Sequence, residues 1–284
     1  MKRVLITGAG SYIGESLRSA FEQESTDFSV EVLDVRDASW ESASFSGFDS
    51  VIHVAGIAHQ RETAENAALY YEVNRDLAIR AAEKAKAEGA GQFVLFSSMS
   101  VYGEVQGHIT AQTQAAPCTH YGRSKLMAEE AIMTLADEAF RVAVIRPPMI
   151  YGKGCKGNYP RLSALLRKLP MFPRIQNERS MLYIGHLCAW MRLLVASGEG
   201  GLYFPQNRDY VKTSELARQI AKAHGKKLWL VPGFGWLIRL LASRVNTLGK
   251  VFGSLTYDQG MSSAFHEYEE TSFAETIRNT EESA

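Results

Sequence analysis

Short Val- and Ile-rich runs recur through the first half of the chain, each separated from the next by a stretch of different texture. The runs are RVLIT (3–7), VEVLD (30–34), SVIHVA (50–55), QFVLFS (92–97) and RVAVIR (141–146). They are short and apolar, as strands buried on both faces are. Helical patterns fall between them at about 13–24, 63–88 and 120–138. This alternation predicts βαβ units, and so an α/β fold with a doubly wound parallel sheet covered on both faces. One crossover looks trimmed, because VEVLD passes almost directly into the turn before SVIHVA.

The texture changes after Arg146–Pro148. MIYGKGCKGNYPRL reads as a Gly- and Lys-rich loop, and SMLYI and GLYFP read as further strands around a helix at about 186–197. The last seventy or so residues read as a smaller, α-rich lobe. The division expected is a dinucleotide-binding domain over 1–150, with sheet segments returning near 178–206. A substrate-covering lobe would be built from 151–177 and 207–284.

With 284 residues the chain can bury a sizeable core. Its 31 Lys and Arg balance 31 Asp and Glu, so no net field calls for nucleic acid or an anionic membrane, and an anionic ligand must be held by local groups. Cys118, Cys155 and Cys188 show no paired spacing, which suits a reducing compartment. No signal-like run opens the chain. The most apolar stretch, 228–245, is broken by Pro232, Gly233, Gly235 and Arg239, short of the roughly 20 apolar residues a spanning helix needs. It reads as a core strand and an amphipathic helix. The expectation is a cytoplasmic protein without membrane insertion.

The first strand runs into TGAGSYIG, Thr7 to Gly14, and then a helix. Glycines in such a turn let the backbone approach a pyrophosphate, which then rests on the N–H groups at the helix start. Any βα turn favours glycine, but this one opens an alternating α/β chain. Asp34 ends the second strand about where an acid grips the adenosine ribose, and Arg36 could instead accept a 2′-phosphate. Tyr121 is the one tyrosine with Lys four residues on, Lys125, which puts both on one helix face.

TGAGSYIG, DSVIHVAG, YYEVN, FSSMSVYG, YGRSK and VIRPPMIYG occur in the order and approximate spacing of the extended short-chain dehydrogenases/reductases. The likeness runs from residue 1 to about 187, with a fainter echo in GSLTYDQ (253–259). That family includes nucleotide-sugar epimerases, 4,6-dehydratases and 4-keto reductases, built on a Rossmann-type sheet with a smaller, mainly C-terminal substrate-binding lobe.

The resemblance implies NAD(H) or NADP(H) as cofactor, held by Gly8, Gly10, Ser11, Tyr12, Ile13, Gly14, Asp34, Val35, Arg36, Val54, Ala55, Gly56 and Pro148, together with Tyr121 and Lys125. It implies Tyr121 as acid/base, Lys125 as its partner, Ser98 as the third member and Asn74 as the fourth. Moving a phenol from about 10 towards neutral takes roughly 3 units, or ~4 kcal/mol of support for the phenolate. Lys125 and the oxidised nicotinamide would supply it. Ser98 would also touch the sugar oxygen. Arg179, in ERSMLYIGHL, matches the family's diphosphate-binding Arg, with Asn158 and Arg161 as looser substrate contacts. A homodimer is compatible with the family.

Departures narrow the reading. Ser11 stands where the middle glycine of the turn is usual, and Ala58 where 4-epimerases of the family commonly carry Lys. Met99 and Ser100 stand where 4,6-dehydratases carry Asp-Glu, which argues against dehydration. The expectation is reduction of a UDP-4-keto-6-deoxy-hexose or hexosamine, with UDP-sugar 4-epimerase as the alternative. A non-catalytic dinucleotide-binding regulator is a more remote one, because Tyr121 and Lys125 are both present. No metal is expected: His53 and His59 lack further ligands at zinc spacing, and Cys155 has no base beside it.

Overall fold

The computed structural model describes residues 1–24, 27–58, 60–103, 107–233, 253–265, 268 and 271–282. In chain order the first strands are β1 (Lys2–Thr7), β2 (Phe28–Leu33), β3 (Ser50–His53), β4 (Gln92–Phe96), β5 (Gly107–Ile109) and β6 (Arg141–Ile145). They continue with β7 (Met149–Tyr151), β8 (Met171–Pro173), β9 (Met181–Tyr183), β10 (Gly201–Tyr203), β11 (Trp229–Val231) and β12 (Leu255–Tyr257). The helices are α1 (Tyr12–Glu24), α2 (Ala67–Tyr71), α3 (Leu77–Ala87), α4 (His120–Met133), α5 (Asn158–Leu166), α6 (Ile184–Ser197), α7 (Thr213–Ala223) and α8 (Phe273–Glu281).

Six strands form the central sheet in the order β10-β6-β4-β3-β1-β2, every neighbouring pair parallel. Successive side chains of a strand point to opposite faces, so a strand covered on both sides must be apolar at nearly every position. Leu5, Val51, Phe93, Leu95, Val142 and Val144 face one layer, with Leu77, Ala78, Ala81, Ala82 and Ala85 of α3 and Ala128 and Ile132 of α4. Val4, Ile6, Ile52, Val94, Ala143 and Ile145 face the other, against Leu17 and Phe21 of α1 and Leu187, Trp190, Met191 and Leu194 of α6. This doubly wound Rossmann-type sheet is the fold expected from the alternating runs.

The trimmed crossover is real. Between β2 and β3 the chain makes a single 3-10 turn, Ala38–Ser42, capped by the Asp37 carboxylate on the Ser39 N–H at 2.9 Å and pinned by buried Trp40. Among the described residues no further strand lies beyond β2 in this sheet, so β2 is its edge. After β2 the next strand is laid down on the far side of β1, which puts the topological switch point between β1 and β3. Ligands of open α/β sheets bind in that crevice, at the carboxyl ends of the strands.

Several boundaries differ from the sequence reading. The helix expected over 63–88 starts at Ala67 and passes through a π-helical turn at Glu72–Asp76 before α3. The helix expected to reach 138 ends at Met133. MIYGKGCKGNYPRL is not all loop: it carries β7, which pairs with β9, and the start of α5. Residues 149–183 and 211–277 supply a separate apolar cluster that includes Tyr151, Tyr159, Phe172, Val211, Leu216, Ile220 and Ile277. Among the described residues, no helix is long and apolar enough to cross a membrane. The amphipathic helix expected up to Val245 falls mostly on 234–252, outside the described residues.

Candidate active site

The glycine turn sits at the end of β1, against the end of β3. Gly8 has φ +121°, and a Cβ there would fall 2.9 Å from the Ala55 amide nitrogen, so only glycine fits this crossing. The Thr7 carbonyl accepts from both the Val54 and Ala55 N–H groups at 3.1 Å, which fixes the two loops to each other. Ser11, at the position of the offset glycine, caps α1: its Oγ accepts the Gly14 N–H at 3.1 Å. That leaves its hydroxyl hydrogen available to a phosphate. The Gly10 N–H donates to the Glu15 carboxylate at 3.1 Å, so an anionic oxygen already satisfies one amide of the turn. Ile13 packs on the α1 side of the sheet. The Tyr12 phenol points away from the turn to the space beside Gly152, and burial raises its pKa.

At the tip of β2, Asp34 and Arg36 hold each other. Arg36 Nε donates to both Asp34 carboxylate oxygens at 2.9 Å, and the Arg36 backbone N–H donates to the same carboxylate at 3.0 Å. The Arg36 hydrogen bonds hold the Asp34 carboxyl down to about 2. Both are solvent-facing, with side-chain exposures of 41% for Asp34 and 81% for Arg36. The two candidates for reading the adenosine ribose are therefore one ion pair on an open sheet edge. Val35 between them is buried in the core.

α4 presents Tyr121 and Lys125 one turn apart. Its N-terminus is doubly capped: Thr119 Oγ1 accepts the Gly122 N–H at 3.0 Å, and the Glu62 carboxylate accepts from His120 N–H at 3.0 Å and Tyr121 N–H at 2.9 Å. The Ser98 hydroxyl hydrogen-bonds the Tyr121 phenol, and burial, the larger influence, raises the phenol above its ordinary value. Ser98 leads β4 into a 3-10 turn, its Oγ accepting the Ser100 N–H at 3.1 Å. Tyr70 packs edge-on against the Tyr121 ring with centroids 6.4 Å apart.

Lys125 is 4% exposed, and its ammonium donates to the Phe96 carbonyl at 2.8 Å. Burial pulls it down to about 8, and the Glu129 carboxylate opposes that fall. Of the influences on the Tyr121 phenol, the Ser98 hydrogen bond lowers it, while burial and the neighbouring Tyr70 raise it.

Asn74 is fully buried in the π turn. Its Oδ1 accepts the Ile57 N–H at 2.8 Å, and its Nδ2 donates to the Ile57 carbonyl at 3.1 Å and to Ser124 Oγ at 3.3 Å. It ties the segment after β3 to α4. A Cβ at Gly56 would lie 2.8 Å from Asn74 Oδ1 and 3.2 Å from Lys125 Nζ, so the backbone must stay bare there. Gly8, Gly56 and the N-terminus of α1 make a bare-backbone track beside Lys125, which fits an extended dinucleotide. Pro148 is buried just beyond β6, where the Pro147 carbonyl accepts the Met99 N–H at 3.0 Å.

Two groups escaped the sequence reading. One is Glu62. The other is a buried cluster under Lys125: Arg146 Nε donates to Glu129 Oε2 at 3.0 Å, Arg146 Nη1 to the Tyr102 hydroxyl at 2.9 Å, and Ser97 Oγ to Glu129. Glu129 lies eight residues after Tyr121 and four after Lys125, a spacing that could have flagged it.

Of the substrate candidates, Arg179 is half-buried. Its Nη1 donates to the Gly253 carbonyl at 2.8 Å, and its backbone pairs with Val211. Asn158 and Arg161 are exposed at the start of α5. His53 is buried, with Nδ1 sharing a 2.8 Å hydrogen bond with Thr7 Oγ1, and burial lowers it to about 3. Burial raises the Cys155 thiol. His59 lies outside the described residues.

Residues 4–227 match the model of the NAD dependent epimerase/dehydratase family. A curated relative, UDP-glucose 4-epimerase of Vibrio cholerae, is 29% identical over 89% of this chain and 83% of its own length. Among solved structures, UDP-glucuronic acid 4-epimerase from Bacillus cereus, in complex with NAD, superposes with a TM-score of 0.75 at 16% identity, covering 98% of this chain and 97% of that one. RMD from Pseudomonas aeruginosa, complexed with NADPH, gives 0.75 at 20% identity, covering 99% and 98%. These likenesses confirm the fold, and the family match spans the glycine turn, Ser98, Tyr121 and Lys125 alike. The chain is a member of the NAD-dependent epimerase/dehydratase family, an enzyme of the short-chain dehydrogenase/reductase type.

Proposed function

We propose that the chain transfers hydride at carbon 4 of a nucleotide sugar, and that it works as a reductase of a UDP-4-keto-6-deoxy-hexose or hexosamine. The bound nicotinamide supplies the hydride. Tyr121 supplies the proton: its phenol is buried and held in the neutral form, as a donor to a developing alkoxide must be. Ser98 holds the phenol and can share the same sugar oxygen, which fixes the transfer distance. Lys125 stays charged below about pH 8 and stabilises the phenolate left behind. Arg179 offers a half-buried cation for the diphosphate.

The observation that favours reduction is the open adenosine end. Asp34 and Arg36 project from an edge strand into solvent, and among the described residues no strand of the sheet lies beyond them. A reductase must exchange its cofactor at each turnover, which suits an open site. A 4-epimerase regenerates its own oxidant and gains by never releasing it. The second reading, UDP-sugar 4-epimerase, draws on the Vibrio cholerae relative bearing that name.

The test is to purify the protein, analyse it for bound nucleotide, and add NADH or NADPH with a UDP-4-keto-6-deoxy-hexosamine. Largely cofactor-free protein and stoichiometric oxidation of the added cofactor are expected. Tightly held NAD, with interconversion of UDP-glucose and UDP-galactose without added cofactor, would transfer the assignment to the epimerase.

A further inference from the structure

Overall neutrality conceals a one-sided distribution of charge. Residues 158–177 hold four Lys or Arg and no carboxylate, and residues 212–233 hold five against the single acid Glu215. Glu215 is already engaged by Arg218, at 2.6 Å. The fold brings the two stretches together: β8 and β11 pair in parallel with Met171 opposite Trp229, and Lys226 Nζ donates to the Arg167 carbonyl at 2.7 Å. α8 packs against α7; its Glu281 faces inward, accepting from the Tyr159 hydroxyl and Ser163 Oγ and pairing with His224 at 2.7 Å, and its exposed Glu275 is engaged by Arg278 at 3.1 Å.

The β8–β11 ribbon has two unlike faces. Phe172 and Leu230 turn inward to the apolar cluster beneath. Trp229, 75% exposed, and Met171, 58% exposed, turn outward, with Leu165 of α5 at 52%. A groove of about 520 Å³ runs between Arg218 and Lys222 of α7 and the Lys227–Leu230 stretch. Arg218, Lys222, Lys226 and Lys227 thus line one groove with exposed Trp229, and exposed Met171 lies opposite Trp229 on the ribbon.

We infer that this face is a peripheral docking surface for an anionic lipid bilayer. Tryptophan settles at the headgroup level, Lys and Arg stems reach along apolar surface to the phosphates, and a cluster of four to eight such cations is the usual requirement for anionic lipid. A nucleic acid would use the cations and leave Met171 and Leu165 without a partner. The contact lies on the surface of the bilayer and needs no spanning segment.

The experiment is flotation of the full-length protein with vesicles of phosphatidylcholine containing phosphatidylglycerol, and with phosphatidylcholine alone. Binding is expected to the anionic vesicles only, and to fall as salt is raised. The double variant Lys222→Glu, Lys227→Glu should weaken partitioning by roughly tenfold or more, and Trp229→Ser should weaken it without removing a charge. Melting temperature and turnover of soluble substrate should stay unchanged in both. No partitioning onto anionic vesicles would overturn the inference. So would binding indifferent to Trp229→Ser, with duplex DNA held as tightly, because that marks a general polyanion site.

Discussion

At the scale of single residues, the assignment rests on Tyr121. Replacing it with Phe removes the proposed proton donor and leaves the ring that packs against Tyr70. Turnover should fall by several orders of magnitude with cofactor binding retained; near-normal turnover would sink the assignment. In the proposed mechanism Lys125 sets the pH dependence. Its ammonium is held down to about 8 by burial, so it is charged below that pH and is lost above it. The value of kcat/KM should therefore decline as pH rises through about 8, and a flat profile to pH 9.5 would show that the charge is not required. Arg36 is a separate case, since Asp34 repels a 2′-phosphate and Arg36 attracts one. Both NADH and NADPH should serve, with a modest preference, and Arg36→Ala should weaken NADPH selectively; an unchanged NADPH-to-NADH ratio in steady-state kinetics would mean that Arg36 plays no part. The pairing of Asp34 with Arg36 was not legible in the sequence, where the two looked like competing ligands rather than one exposed pair.

At the scale of elements, α4 carries a stripe of three polar residues, Tyr121, Lys125 and Glu129, on a face that is otherwise packed. The first two were readable from their spacing, and the third belonged to the same face. Its partner Arg146 was not, because Arg146 reads as the polar end of an apolar strand until β6 is laid beside β4. Breaking a buried pair leaves one charge uncompensated, at a cost of about 3–5 kcal/mol, whereas removing both can be nearly neutral. Glu129→Leu should thus lose about 3–5 kcal/mol in urea unfolding, and adding Arg146→Met should recover much of it. Additive losses would show that the pair is not coupled. Glu129→Gln carries a catalytic signature too. Glu129 opposes the fall of the Lys125 pKa, so its neutralisation should move the alkaline decline of kcat/KM to lower pH. A purely structural role for Glu129 would leave that limb in place.

At the scale of the whole molecule, legibility followed burial. The sheet was readable because strands covered on both faces must be apolar throughout, which leaves a sequence signal that no other context produces. β5, β7, β8, β11 and β12 were not read or were placed only loosely, since each is three residues long and gains its identity from a partner far along the chain. The trimmed crossover was visible in the spacing, but its consequence needed the sheet order: β2 is the edge, and the adenosine end of the crevice is bounded on one side by solvent. That topology makes a thermodynamic prediction. A dinucleotide gripped along only part of its length should bind with a dissociation constant in the range of roughly 0.1 mM, so millimolar NADH would stabilise the fold by about 1.4 kcal/mol. For a chain of this size that is a rise in melting temperature of roughly 2–3 °C, setting in only at hundreds of micromolar cofactor and growing logarithmically beyond. A protein that keeps its nucleotide through purification would instead melt at a temperature indifferent to added NAD or NADH. A thermal-shift titration after nucleotide analysis separates the two, and indifference together with bound NAD would mean that the open edge does not govern cofactor release.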